Sequence, residues 1–134
     1  MDIIYELDTH HIKQLHTLYK QEWWTNKRSL AETKKVVENS SIVIGLVDKN
    51  NNLKAFARVL TDYTFKAIIF DVIVDESFRN KGVAKELMNL IISNDKLKEV
   101  KHFELYCLPE MVEFYKAYGF NDELGELVFM RKET

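Results

Sequence analysis

Phe70-Asp71-Val72-Ile73-Val74-Asp75-Glu76-Ser77-Phe78-Arg79-Asn80-Lys81-Gly82-Val83-Ala84-Lys85-Glu86-Leu87-Met88 reads as a β-strand, a short loop and an amphipathic helix in immediate succession. A strand that delivers a glycine-containing loop to a helix N-terminus builds an anion site. Unpaired backbone N–H groups and the positive end of the helix dipole converge there on one point. Arg79, Lys81 and Lys85 add side-chain charge. The stretch predicts a loop that holds a pyrophosphate, with the rest of the chain forming a pocket for what the phosphate carrier brings.

Upstream, residues 42–47 form a strand, and Asp48-Lys49-Asn50-Asn51-Asn52 has turn chemistry because Asn and Asp tolerate left-handed backbone. Residues 53–60 return as the hairpin partner, and a second turn near Thr61-Asp62-Tyr63-Thr64 leads into a long strand over 65–74. Three antiparallel strands in series make a meander. Further back, residues 3–7 suit a short first strand, and Thr9 suits the N-cap of a helix with Ile12, Leu15, Leu18 and Tyr19 on one face. Ser29-Leu30-Ala31-Glu32 matches a capping box and predicts a second helix that buries Leu30, Val36 and Val37 and stops near Asn39.

Downstream, the motif helix presents Val83, Ala84, Leu87, Met88, Ile91 and Ile92 at the spacing of a helix packed on a sheet, and ends at Asn94-Asp95. A strand over 102–108, reached by a helical crossover, is expected parallel to the third long strand. Pro109 opens a short helix over 110–117, Gly119 ends it in the left-handed conformation, and residues 127–130 form a last strand. The order β-α-α-β-β-β-α-β-α-β is α+β, or mixed α/β, with helices covering a central sheet.

The 134 residues make one domain, 1–134, with a sizeable core. A net charge of −2 does not indicate a nucleic-acid surface. Cys107 is the only cysteine, which excludes an intramolecular disulfide and suits a reducing compartment. Residues 1–6 lack the basic and apolar regions of a signal peptide, and no apolar run approaches the roughly 20 residues a membrane span needs. A cytoplasmic protein without membrane contact is expected.

Arg79-Asn80-Lys81-Gly82-Val83-Ala84 resembles the Arg/Gln-x-x-Gly-x-Gly/Ala signature of GCN5-related N-acetyltransferases (GNAT), placed as in that family after a meander and before a helix. Phe114-Tyr115-Lys116-Ala117-Tyr118-Gly119-Phe120 is similar to the family's Phe-Tyr-x-x-x-Gly-Phe segment. The stretches Glu22-Trp23-Trp24 with Arg28-Ser29-Leu30, residues 56–62 and residues 70–72 resemble a subgroup of small bacterial members. The resemblance implies the acyl-CoA N-acyltransferase fold, with a mostly antiparallel twisted sheet. It implies transfer of acetyl from acetyl-coenzyme A to a primary amine of a small molecule, by direct attack in a ternary complex. The alternatives are a non-catalytic coenzyme A-binding sensor or interaction module of the same fold, or an enzyme that acetylates a protein amine. Backbone groups of Ile73 and Val74 would pair with the pantetheine arm. Those of Arg79, Asn80, Lys81, Gly82, Val83 and Ala84 would hold the pyrophosphate. The chain departs from the family in having Glu76 where Pro is frequent and Asn80 and Ala84 where Gly is frequent. Leu108-Pro109-Glu110-Met111 lacks an Asn that often contacts coenzyme A.

Acetyl transfer needs a neutral amine, a stabilised oxyanion and a protonated leaving thiol. By resemblance Tyr115 lies near the coenzyme A sulfur; a phenol, protonated at neutral pH, can serve as the acid there, whereas its other reading is packing at the base of its helix. Asp71 interrupts an apolar run, so it needs a partner or faces a pocket. It is either a general base or ammonium ligand, or one half of an ion pair with Arg58 on the neighbouring strand. Arg58, Asp62 and Tyr63 are further pocket candidates. Trp23 and Trp24 lie where family members wall the acceptor site, one expected in the core and one exposed. Cys107 is read as a buried structural cysteine, and His10, His11 and His16 as surface residues. The four histidines have no metal-ligand spacing, so no metal is expected. The last strand offers an edge through which a homodimer could form.

Overall fold

The computed structural model describes residues 1–134, the whole sequence. The meander forms as its two turns predict. Strands β2 (Ile42–Val47), β3 (Leu53–Thr61) and β4 (Lys66–Val74) pair antiparallel in order, with β1 (Asp2–Ile4) on the outer edge of β2. After helix α3 (Val83–Ile92) the chain crosses over and adds β5 (His102–Leu105) parallel to β4. Helices α1 (Thr9–Tyr19) and α2 (Leu30–Glu38) precede the meander, and α4 (Val112–Lys116) follows β5 behind a 3₁₀ turn opened by Pro109.

Two cores sandwich the sheet. On one face Leu87, Met88 and Ile91 of α3 pack on Ile44, Leu46, Ala57 and Ile69. On the other, Leu15, Leu18 and Tyr19 of α1 pack on Val43, Phe56 and Ile73. Ile69 belongs to the first core and Ile73 to the second, although both are odd-numbered on one strand. An extra residue causes the switch. Arg58 faces Phe70 and Phe56 faces Ile73, so β4 advances three residues while β3 advances two. This is a β-bulge. Asp71 takes it up with φ 55°, a left-handed conformation open to Asp.

The bulge coincides with a splay. β4 and β5 pair from Lys66↔His102 to Ile69↔Leu105 and then part. Residues 70–74 are paired on the β3 side only. Asp75 N–H donates to Lys54 O (2.8 Å). By antiparallel alternation the amide groups of Ile73 also turn toward β3, while those of Val72 and Val74 turn to the open side.

Several expectations need correction. Asp8, not Thr9, caps α1, and its box is closed by His11, whose Nδ1 accepts the Asp8 N–H. His11 is therefore buried rather than on the surface, with its Nε2–H donated to oxygens of Asn51. The Ser29–Glu32 box forms, but Leu30 is exposed and Thr33 is the buried residue of α2. β5 stops at Leu105, before Cys107, which leaves that thiol exposed rather than structural. Residues 127–130 form no strand. They lie 60–85% exposed, since no neighbouring strand receives their backbone.

Candidate functional site

The splay opens a cleft of about 1370 Å³. Its floor is residues 70–74 of β4. One wall is the start of α3 with Phe114 and Tyr115 of α4, and the other is the α1–α2 loop with the residues beyond β5.

The loop at the α3 end is built as the sequence predicts. Asn80 (φ 63°) and Gly82 (φ 76°) are both left-handed, and Gly82 is the N-cap of α3 with no side-chain cap. Helix bonding starts with Glu86 N–H to Gly82 O (3.1 Å), so the amides of residues 80–85 point outward without an acceptor. A Cβ on Gly82 would meet nothing within 4 Å, so the approach to these amides is open. Arg79 donates from Nε to Val74 O (3.2 Å) and from Nη2 to Glu22 Oε1 (2.5 Å). Lys81 instead turns its ammonium over the Phe78 ring, 5.4 Å from the centroid, and does not line the cleft. Glu76 points to solvent.

On the opposite face of the sheet Asp71 is 7% exposed and fully engaged. Oδ2 accepts from Tyr19 Oη (2.8 Å), Arg28 Nη1 (2.6 Å) and Arg58 Nε (2.7 Å), and Oδ1 accepts from Arg28 Nη2 (3.1 Å). Burial pushes the carboxyl up, but the hydrogen bonds and charges of the two arginines outweigh it and hold Asp71 below the usual carboxylate range. Burial, with the carboxylate beside it, pushes the Tyr19 hydroxyl well above its ordinary value, which keeps it a donor. Of the two roles open to Asp71, this geometry supports the ion pair. Arg58 serves it from behind the floor, its guanidinium 4.8 Å over the Phe70 ring.

Tyr115 lines the cleft near Cys107, packed edge-on against Phe114 (5.0 Å) and Phe120 (6.2 Å). Its hydroxyl bonds to no protein group. Burial, with Cys107 and Tyr118 close by, pushes it up to about 12, so the phenol carries its proton at neutral pH.

The fold thus gathers Asp71, Ile73, Val74, Arg79, Asn80, Gly82, Val83, Ala84 and Tyr115 around one cleft with Trp23 and Trp24, both exposed (69% and 41%) where one was expected in the core. Asp62 is not among them. Its carboxylate accepts the amides of Thr64, Phe65 and Lys66, which hold it below its usual range and commit it to the turn. Tyr63 sits in the same turn and bonds Ser41 O. Sequence reasoning missed Glu22, Arg28, Phe70, Tyr106 and Arg131, all cleft residues. The local signals were adjacency alone: Phe70 beside Asp71, Glu22 beside Trp23 and Tyr106 beside Cys107. The others come together only through tertiary folding.

A family model described as the Acetyltransferase (GNAT) family matches residues 5–120. An uncharacterized N-acetyltransferase, ycf52, of Pyropia yezoensis is 34% identical over 110 residues, which cover 80% of this chain and 63% of that protein. The chloroplastic GCN5-related N-acetyltransferase 1 of Arabidopsis thaliana is 37% identical over 89 residues, 64% of this chain and 45% of that one. The chain spans less than two thirds of the length of these curated relatives. A GNAT-family protein from Xanthomonas campestris pv. campestris superposes with a TM-score of 0.82 at 26% identity, covering 100% of this chain and 94% of that one. The aminoglycoside N-acetyltransferase AAC(6')-Iy, solved with a coenzyme A–acetylneamine bisubstrate analogue, shares the fold at a TM-score of 0.72 and 20% identity, with 99% and 98% covered. Because the family match runs through both the 79–84 loop and Tyr115, the chain belongs to the acetyltransferase (GNAT) family.

Proposed function

We propose that this protein transfers acetyl from acetyl-coenzyme A to the primary amine of a small molecule by direct attack. The observation that carries the reading is one cleft holding both an open row of backbone donors at residues 80–85 and the protonated, unpartnered hydroxyl of Tyr115.

The residues fit such a co-substrate. The amides of 80–85 suit a pyrophosphate, aided by Lys85 at the cleft edge. The open-side N–H of Val74 suits an extended amide arm, whereas Ile73, whose groups face β3, contributes its side chain to the floor. Phe78, Met111 and Phe114 give an apolar lining. Acetyl-coenzyme A supplies an acetyl group activated as a thioester. The amine nitrogen forms the new C–N bond as the C–S bond breaks, and Tyr115 Oη holds the proton that the leaving sulfur takes up. The amine loses one proton in return. The carboxylates of Asp71 and Glu22 are tied to arginines, which leaves Glu110 as the cleft's unpaired carboxylate, so the amine's proton passes to water and water returns one to the Tyr115 phenolate.

The same commitment of carboxylates favours a second reading, a coenzyme A-binding module without turnover. Titration with acetyl-coenzyme A and thiol release across an amine panel separate the two. Saturable binding with amine-dependent release supports the enzyme, while binding without release supports the module. Binding that survives Gly82→Trp unchanged defeats the cofactor assignment altogether. A cytoplasmic location belongs to this reading. It draws on the single exposed thiol and on the absence of any helix long and apolar enough to cross a membrane, although one relative is chloroplastic by name.

A further inference from the structure

Arg79 crosses the cleft. Its Nε donates to Val74 O on the floor (3.2 Å) and its Nη2 to Glu22 Oε1 on the α1–α2 wall (2.5 Å). Glu22 and Arg79 both line the cleft, and each is the other's only ionic partner within 4 Å. The open amides of residues 80–85 begin at the next residue in sequence. The guanidinium nearest the anion site is therefore spent on a carboxylate and a carbonyl. Gln21, one residue before Glu22, ties the same two loops differently. Its amide bonds Asp75 Oδ1 (2.8 Å) and the Glu76 N–H (3.1 Å), and none of these three residues lines the cleft. The loops thus stay in register whether or not Arg79 keeps its partner. The backbone at Glu22 is held too, by Glu22 N–H to Tyr19 O (3.3 Å) and by Thr25 N–H to Glu22 O (3.2 Å), with Thr25 buried. Only side chains are free to move.

Resting on the coenzyme A reading of this cleft, we infer that the Glu22–Arg79 pair is an autoinhibitory latch, which opens when Arg79 exchanges the carboxylate for the pyrophosphate of the co-substrate. Glu22 is a positioning residue that acts through Arg79. The side chains of the pair are 24% and 41% exposed, so water screens their attraction and the latch is weak. A pyrophosphate offers the guanidinium two charges and a bidentate fit, in company with the amides of 80–85, so the competition runs against Glu22. The exchange uncovers Val74 O on the floor. It also leaves Glu22, beside Trp23 and Trp24, to join Glu110 among the unpaired carboxylates of the cleft. The wall that carries the tryptophans thus gains a negative charge only with the co-substrate in place, while Gln21 keeps that wall from drifting.

The test uses the purified full chain and coenzyme A itself, the thiol form, which binds without turnover. Calorimetry reads its affinity for the wild type, Glu22→Gln, Arg79→Ala and the double variant. Both side chains reach solvent and Gln keeps the shape of Glu, so folding is preserved. Glu22→Gln should bind coenzyme A about threefold more tightly than the wild type, because Arg79 no longer has a charge to leave. Arg79→Ala should bind about tenfold more weakly, and adding Glu22→Gln to it should change nothing further. A merely structural ion pair gives the opposite sign, since losing it loosens the loop. Affinity that is unchanged or lower in Glu22→Gln therefore overturns the latch and leaves the acetyl-transfer reading standing. Tightening that persists without Arg79 is a general charge effect and overturns the latch as well. Tightening that requires Arg79, with no thiol released from acetyl-coenzyme A across the amine panel, upholds the latch and defeats the transfer reading. No saturable binding of coenzyme A by the wild type or by Glu22→Gln overturns both.

Discussion

At the residue scale the molecule turns on Asp71, a carboxylate placed in a left-handed kink and gripped by two guanidinium groups and a phenol. Asp71→Asn keeps a residue that tolerates this backbone but removes the charge that pairs Arg28 and Arg58. A loss of about 3 kcal/mol in urea unfolding is expected. The folded carboxyl lies below its unfolded value of about 3.9, so its stabilisation is complete above that pH and drains away as pH falls through the folded value. The wild type should therefore lose stability on acidification below about pH 4 more steeply than Asp71→Asn, as followed by urea midpoints. Tyr115→Phe should lower kcat about a hundredfold with acetyl-coenzyme A affinity unchanged, as steady-state kinetics and titration would show. Arg58 was legible as a partner of Asp71 because the two occupy adjacent strands. Arg28 and Tyr19 were not, lying 43 and 52 positions away in sequence, where no local pattern links them.

At the scale of elements, the α1–α2 loop is stapled to the β4–α3 loop. Gln21 Nε2 donates to Asp75 Oδ1 (2.8 Å), Gln21 Oε1 accepts the Glu76 N–H (3.1 Å), and Glu22 pairs with Arg79. The loop carrying the tryptophans is thus fixed to the loop carrying the amide donors. Gln21→Ala should cost about 1 kcal/mol and weaken acetyl-coenzyme A binding several-fold by loosening that register, as calorimetry would show. Capping gives a cleaner contrast. Asp8→Ala should cost about 1 kcal/mol in urea unfolding while Thr9→Ala is nearly neutral, because Asp8 holds the His11 amide. The Ser29 cap was legible because serine and Glu32 complete a known local exchange. Asp8 and Thr9 are both good caps, and only the buried fit of His11 against Asn51 decides between them. Residues 127–130 misled for the opposite reason. A continuous apolar run specifies a strand only when a neighbour is there to pair with it.

At the scale of the whole molecule both cores are complete by Phe120, and the tail beyond it contributes to the cleft rather than to either core. A chain ending at Asn121 should unfold within about 1 kcal/mol of the full protein, as urea midpoints would show, because neither core uses the tail. The sheet order and the crossover were readable from turn chemistry and helix spacing. The splay was not, since it arises where a bulge in one strand meets the early end of another. That splay has a mechanical consequence. Beyond Ile69↔Leu105 the segment that follows β5 faces the rest of the protein across an opening instead of through a ladder. Residues 102–120 should then behave as a semi-independent flap in native-state hydrogen exchange, opening at lower free energy than the meander. A molecule lodged between β4 and Tyr115 would act as a strut, and amide protection should rise along the whole flap, including positions it never touches.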